Sequence, residues 1–147
     1  MTIVRWGPLE LPVTLLTSSE LAGLANTGIS APGADIINTG GSLYCDVEFV
    51  AGAAFSPSAS GAMLDVWVLR SIDGGVSFED GAAGFIPSRD PDLTIAVRGG
   101  TSIIPRAGAS RLVLPPGHFK AMARNRLGAS IPSGSSVRIA SYTEQAV

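Results

Sequence analysis

Apolar residues recur at every second position in a series of short runs, and each run ends in a cluster of Gly, Pro, Asn, Asp or Ser. That period is the period of a strand with one face buried, whereas a helix repeats its apolar face every 3 to 4 residues, roughly. Over 43–50, Leu43, Cys45, Val47 and Phe49 fall on one side and Tyr44, Asp46, Glu48 and Val50 on the other. Over 63–70, Leu64, Val66 and Val68 oppose Asp65, Trp67 and Leu69; over 93–98, Leu93, Ile95 and Val97 share a side. Over 118–125, Phe119, Ala121 and Ala123 oppose His118, Lys120, Met122 and Arg124, and 137–142 carries a last strand. Shorter strands are expected over 13–17, 34–38 and 111–114. Turn clusters separate them: NTGGS at 38–42, SPSASG at 56–61, DGG at 73–75, PPG at 115–117 and PSGSS at 132–136. These residues tolerate or pre-set turn dihedrals. One short helix is expected over 18–25, capped by Ser18 or Ser19.

Eight short strands divided by turns predict an all-β fold, an antiparallel β-sandwich that is jelly-roll-like. The 147 residues make one such domain over 13–147, preceded by an extended N-terminal arm over 1–12. Pro8 and Pro12 keep that arm out of a central ladder, because proline has no N–H to donate.

Composition narrows the function classes. Hydrophobic residues are 46% and charged ones 15%, which suits a packed core and not a disordered chain. No apolar run reaches the roughly 18 residues of a membrane span, and Pro8, Glu10 and Pro12 interrupt any apolar signal-peptide region. A formal charge of −2 argues against a nucleic-acid partner. Cys45 is the one cysteine, so there is no internal disulfide, in keeping with synthesis in a reducing cytoplasm. Charge is uneven along the chain. Residues 1–100 hold four Lys and Arg against eleven Asp and Glu, net −7, and residues 101–147 hold six against Glu144 alone, net +5. Either folding interleaves the two halves, or a basic face meets an acidic neighbour.

Parts for catalysis are few. His118 is the only histidine, and no G-x-S-x-G accompanies it, so a Ser–His–Asp triad is not expected. One His and one Cys do not make a zinc cage. Cys45 alternates with Leu43 and Val47 and reads as a buried small hydrophobe. Asp46 with Glu48, and Asp90 with Asp92, read as solvent-facing strand carboxylates. No phosphate loop or dinucleotide fingerprint is present. The expectation is a protein that is not an enzyme, with no catalytic residues, cofactor or metal. Trp67, with Tyr44, is a candidate sugar platform, and it alternatively lies under a neighbouring subunit or completes a second buried face.

Residues 71–78 read SIDGGVSF. They resemble the Asp-box, the Ser-x-Asp-x-Gly-x-Thr-Trp hairpin turn of sialidase-type propellers. The resemblance covers these eight residues, in one copy, and ends in Ser77-Phe78 where the pattern has Thr-Trp. It implies a β-hairpin in which Ser71 and Asp73 bond turn amides, Gly75 takes an unusual dihedral and Phe78 packs beneath. Asp73, Glu79 and Asp80 are calcium candidates, against the plainer reading of a solvated acidic turn.

A broader resemblance spans 11–142. LPPGHFKAMARNRLGASIPSGSSVRIASY at 114–142, LPVTLLTSSELAGLANT at 11–27, and LYCDVEFV followed by MLDVWVLRSIDGG are similar in style to small virion structural proteins of tailed bacteriophages. The matching positions include Leu114, Pro115, Pro116, Gly117, Phe119, Lys120, Asn125 and Gly128. The resemblance implies a capsid decoration, or cement, protein on the virion surface. Its partner would be the major capsid protein, and the apolar arm and the uneven charge add the expectation of copies of itself, in a homotrimer. A tail or fibre-associated module and a carbohydrate-binding β-sandwich module are the alternatives. Candidate partner-binding residues are Ile3, Val4, Trp6, Leu9 and Leu11 of the arm, Trp67, and the basic Lys120, Arg124 and Arg138. The arm either lies in a neighbour's groove or packs on its own domain. Segments 118–125 and 137–142 are expected to form a hairpin.

Overall fold

A computed structural model describes residues 4–6, 9–57, 61–98 and 104–146. The described residues are all-β but for one turn of helix. In order come β1 (Val4–Trp6), β2 (Val13–Leu16), α1 (Ser18–Leu21), β3 (Ile36–Asn38), β4 (Tyr44–Val50), β5 (Met63–Arg70), β6 (Leu93–Ala96), β7 (Arg106–Val113), β8 (Gly117–Arg126), β9 (Ser136–Tyr142) and β10 (Glu144–Ala146). Eight of the strands form two antiparallel four-stranded sheets, the first ordered β2-β9-β4-β7 and the second β3-β8-β5-β6. Strands β1 and β10 pair separately as a short ribbon.

The alternating rows become the inner faces. Cys45, Val47, Phe49, Val137 and Ile139 of the first sheet share one core with Leu64, Val66, Val68, Ile95, Phe119, Ala121 and Ala123 of the second. Complete burial of one such large side chain contributes about 1.5–3 kcal/mol. On β5 the opposite row is buried as well: Asp65, Trp67 and Leu69 are each 3% exposed or less. Trp67, Leu69 and Met122 form a second, smaller cluster on the outer face of the second sheet, with Ile29 and Phe78 packed against it. Alternation identifies the two sides of β5, and chain from other segments then covers both.

Strand β7 begins at Arg106, five residues before the expected 111. Its first half, Arg-Ala-Gly-Ala-Ser, has no large apolar row to announce it, and it is held by its register against β4. The ladder slips between Cys45 and Val47, so that Ser110 and Arg111 oppose Asp46 alone. Arg111 takes φ +68° within this bulge, a left-handed conformation that glycine more often fills. Helix α1 is capped by Thr17, not by Ser18 or Ser19: the Thr17 hydroxyl accepts from the Ser19 amide, and Glu20 reaches back to the Thr17 amide at 2.7 Å.

The expected hairpin of β8 and β9 does not form. Strand β8 pairs with β3 and β5, while β9 pairs with β2 and β4 in the other sheet. A corner built on Asn125 sends the chain across. The buried Asn125 amide donates to the carbonyls of Leu24 (2.7 Å) and Ala129 (2.8 Å), and its carbonyl accepts from the Leu127 amide (2.8 Å). Gly128 follows at φ +79°, in the left-handed region that glycine enters without steric cost.

Interleaving also disposes of the uneven charge. Strands β8 and β9, from the basic third of the chain, lie between strands from the acidic part. Arg106 and Arg138 meet Glu48 at 2.9 and 2.8 Å, and Arg126 meets the buried Asp65 at 3.2 Å.

Candidate functional site: the loop end and the 71–92 loop

Several connections meet at one end of the sheets. The Asn38 side chain donates to the Ser42 and Pro115 carbonyls, which ties the 39–43 loop to the turn after β7. The Leu114 amide bonds the Leu43 carbonyl, and the Ser71 amide bonds that of His118. Glu10 anchors the incoming chain here as well. Its amide donates to the Ser141 carbonyl, and its carboxylate accepts from the Ser42 and Ser141 hydroxyls. Around this end stand Leu9 (64% exposed), Leu11 (88%), Val13 (43%), Ile37 (51%), Leu43 (52%) and Val113 (57%).

Of the arm candidates, Leu9 and Leu11 are therefore exposed beside an anchored Glu10. Val4 and Trp6 lie in β1, paired through the backbone with Ala146 and Glu144. Ile3 is outside the described residues. The Trp67 assignment needs correction: Trp67 is 3% exposed, and its indole N–H donates to the Arg89 carbonyl at 3.0 Å. The 71–92 loop covers it, so it presents no ring to a sugar or a neighbour. Tyr44 belongs to the other sheet, tilted against Tyr142 at 6.1 Å with Arg111 stacked 5.4 Å from its ring centre. No Trp67–Tyr44 platform exists.

The basic stripe is likewise divided. Lys120 and Arg124 are on β8 in the second sheet, whereas Arg138 is on β9 in the first. The Lys120 ammonium sits 4.3 Å from the Phe78 ring centre. Arg124 is half-buried and bridges Ile29 through its backbone. Arg138 and Arg106 both bind Glu48, and these bonds hold the Glu48 carboxyl below its ordinary range. They line an open groove of about 510 Å³ over Gly108, Ser110 and Ala140.

The 71–78 turn holds itself together. Asp73 accepts from the Ser71 hydroxyl (2.7 Å), from the Ser77 amide (2.9 and 3.1 Å) and from the Ser77 hydroxyl. Ser71 in turn accepts from the Gly75 amide at 2.8 Å. The bonds from Ser77, then that from Ser71, hold the Asp73 carboxyl far below the usual carboxylate range. Gly75 takes φ +92°, and a Cβ there would come within 2.6 Å of His118 Nδ1. Phe78 packs beneath, against the Trp67 cluster. Beyond the turn the chain returns with one ladder-like bond, Glu79 amide to Arg70 carbonyl at 2.9 Å, and no strand, so the turn is not a full β-hairpin.

The other reactive side chains have partners of their own. Glu79 pairs with Arg89 at 3.0 Å and Asp80 accepts from Ser88, so neither converges with Asp73 on a common point. Among the described residues no three His, Cys, Asp or Glu are grouped to hold a metal. His118 has a carboxylate partner: its Nδ1 lies 2.7 Å from an Asp35 oxygen. Cys45 is fully buried, and burial, then the neighbouring Asp46, pushes its thiol up to about 12. Since the folded value lies above the unfolded one, the native state keeps the proton and loses stability as pH rises above about 9. Iodoacetamide at pH 8 is expected to leave native Cys45 unmodified and to label it fully in denaturant; rapid native labelling would contradict its burial.

Compared with protein-family models, with curated proteins and with solved structures, the chain matches none.

Proposed function

We propose that this chain is a jelly-roll structural protein that decorates the head of a tailed bacteriophage, acting through contact with protein surfaces and not through chemistry. The strand orders β2-β9-β4-β7 and β3-β8-β5-β6 support the jelly roll, because from β2 to β9 the chain changes sheet at every connection except β5 to β6. The observation that carries the functional reading is the apolar loop end. Six large aliphatic side chains stand exposed where the N-terminal segment, the 39–43 loop and the end of β7 meet. Single exposed aliphatics are ordinary, but a group at one end of a domain marks a contact surface. The resemblance in style of 114–142 to virion proteins supports a phage head as that surface, and copies around a three-fold axis suit an end-on contact.

Heads of a phage that carries this gene, prepared without the protein, provide the test. Purified protein is expected to co-sediment with them and to add density at local three-fold positions in a cryo-EM reconstruction. Heads that sediment bare overturn the head reading, and selective binding to tails moves the protein to the tail.

A further inference from the structure

The loop between β5 and β6 holds a second set of exposed apolar residues, and there they stand on a rigid support. Ile72 is 102% exposed, Val76 85%, Phe85 72% and Ile86 47%. Ile72 and Val76 flank the hydrogen bonds around Asp73, which fix the backbone between them. From below, the turn is held by the Ser71–His118 backbone bond, by Gly75 against the His118 ring, and by Phe78 between the Trp67 cluster and Lys120. Each polar residue of SIDGGVSF that the Asp-box likeness singles out thus has an internal task. Ile72 and Val76 have none: neither contributes to a core, and both hold their side chains in water.

A turn that is already ordered loses little conformational entropy when its tips are buried by a partner. The charge around those tips says what the partner looks like. Between 71 and 92 the chain carries Asp73, Glu79, Asp80, Asp90 and Asp92 against Arg89, a net formal charge of −4, and Arg70 before the turn with Lys120 over the Phe78 ring reduces it to −2 without reversing its sign. Asp73 lies between the two tips, and bonding from Ser71 and Ser77 keeps it ionised. A membrane surface rich in anionic lipid would repel such a loop, and an acidic protein would do the same.

We infer that the 71–86 loop is a preformed docking knob whose Ile72 and Val76 enter an apolar pocket on a partner protein, and that arginines and lysines border that pocket. This rests on the proposal that the chain docks on a phage head, where the pocket would lie. It adds a contact that neither the arm nor the basic residues supply.

Co-sedimentation with the same undecorated heads tests it, using three variants. Ile72→Ser with Val76→Ser removes the tips and keeps the turn. Because both side chains are exposed, the melting temperature is expected to stay at the wild-type value while head affinity falls by roughly 100-fold. Asp73→Ala keeps the tips and loosens the turn, and is expected to weaken binding by about tenfold. Wild-type binding is expected to weaken as salt is raised, and Asp90→Asn to flatten that dependence. If the double serine variant binds heads as the wild type does, the knob is not a contact, although head decoration stands. If salt strengthens wild-type binding, the basic border is wrong. If the wild type itself leaves the heads bare, the head reading fails and its pocket with it.

Discussion

Trp67→Ala is expected to lower the free energy of unfolding by about 3–5 kcal/mol, the usual cost of removing a large buried aromatic side chain. Trp67 is 3% exposed between Leu69 and Met122, with Ile29 and Phe78 closing over the cluster. The substitution removes the indole volume, and it also removes the donor to the Arg89 carbonyl. Arg89 is itself a hub: its guanidinium bonds Glu79 (3.0 Å), Asp92 (2.8 Å) and the Val68 carbonyl (2.8 Å). Loss of the tryptophan therefore releases the 79–92 segment from the sheet as well as leaving a cavity. Urea denaturation measures the first effect, and amide exchange at Val68, which donates to Asp92 at 2.7 Å, measures the second. A change below about 1 kcal/mol, within the range of an exposed residue, would return Trp67 to the surface.

This residue also shows where sequence reading stops. Period-two alternation places Trp67 opposite Leu64, Val66 and Val68 correctly, and the rows of β4, β5, β8 and β9 follow the same rule. Parity reports which side a residue leaves, but not whether another segment comes back to cover that side. Covering Trp67 depends on a loop folded back by Phe78 and Arg89, a tertiary event with no local period. The stripe of Lys120, Arg124 and Arg138 fails for a related reason. Neighbouring strands in sequence suggest a hairpin, yet β8 and β9 go to different sheets, and Arg138 ends opposite Glu48. The β1–β10 ribbon was not legible because three-residue strands carry no measurable alternation. Turn chemistry was the clearest local signal. Ser71, Asp73, Gly75 and Phe78 hold the places that their residue types dictate, though the chain beyond Glu79 does not continue as a strand.

Asn125→Leu is expected to cost about 3 kcal/mol or more, although it keeps the number of side-chain heavy atoms and adds apolar surface to a buried position. The Asn125 side chain has 0% exposure for its residue and serves three backbone groups: the Leu24 and Ala129 carbonyls and the Leu127 amide. A leucine takes that partner from the buried Leu127 amide and the half-buried Ala129 carbonyl, and leaves the Leu24 carbonyl with the Ile131 amide alone. An orphaned buried group costs about 1–3 kcal/mol, so the sum exceeds what a better-packed side chain returns. The Asn125 backbone is engaged as well, donating to Gly28 and accepting from Thr27, so the residue joins the 22–30 segment to the end of β8. Asn125→Asp separates the contributions. A carboxylate keeps the acceptor for Leu127 but has no N–H for Leu24 and Ala129, and it is expected to destabilise the fold most at neutral pH and less as acid protonates it. Denaturant midpoints across pH read both effects. If leucine is tolerated within about 1 kcal/mol, the Asn125 bonds are not what turns the chain from the second sheet to the first, and the corner must be held by Gly128 and the Ile131 bond to Leu24 instead.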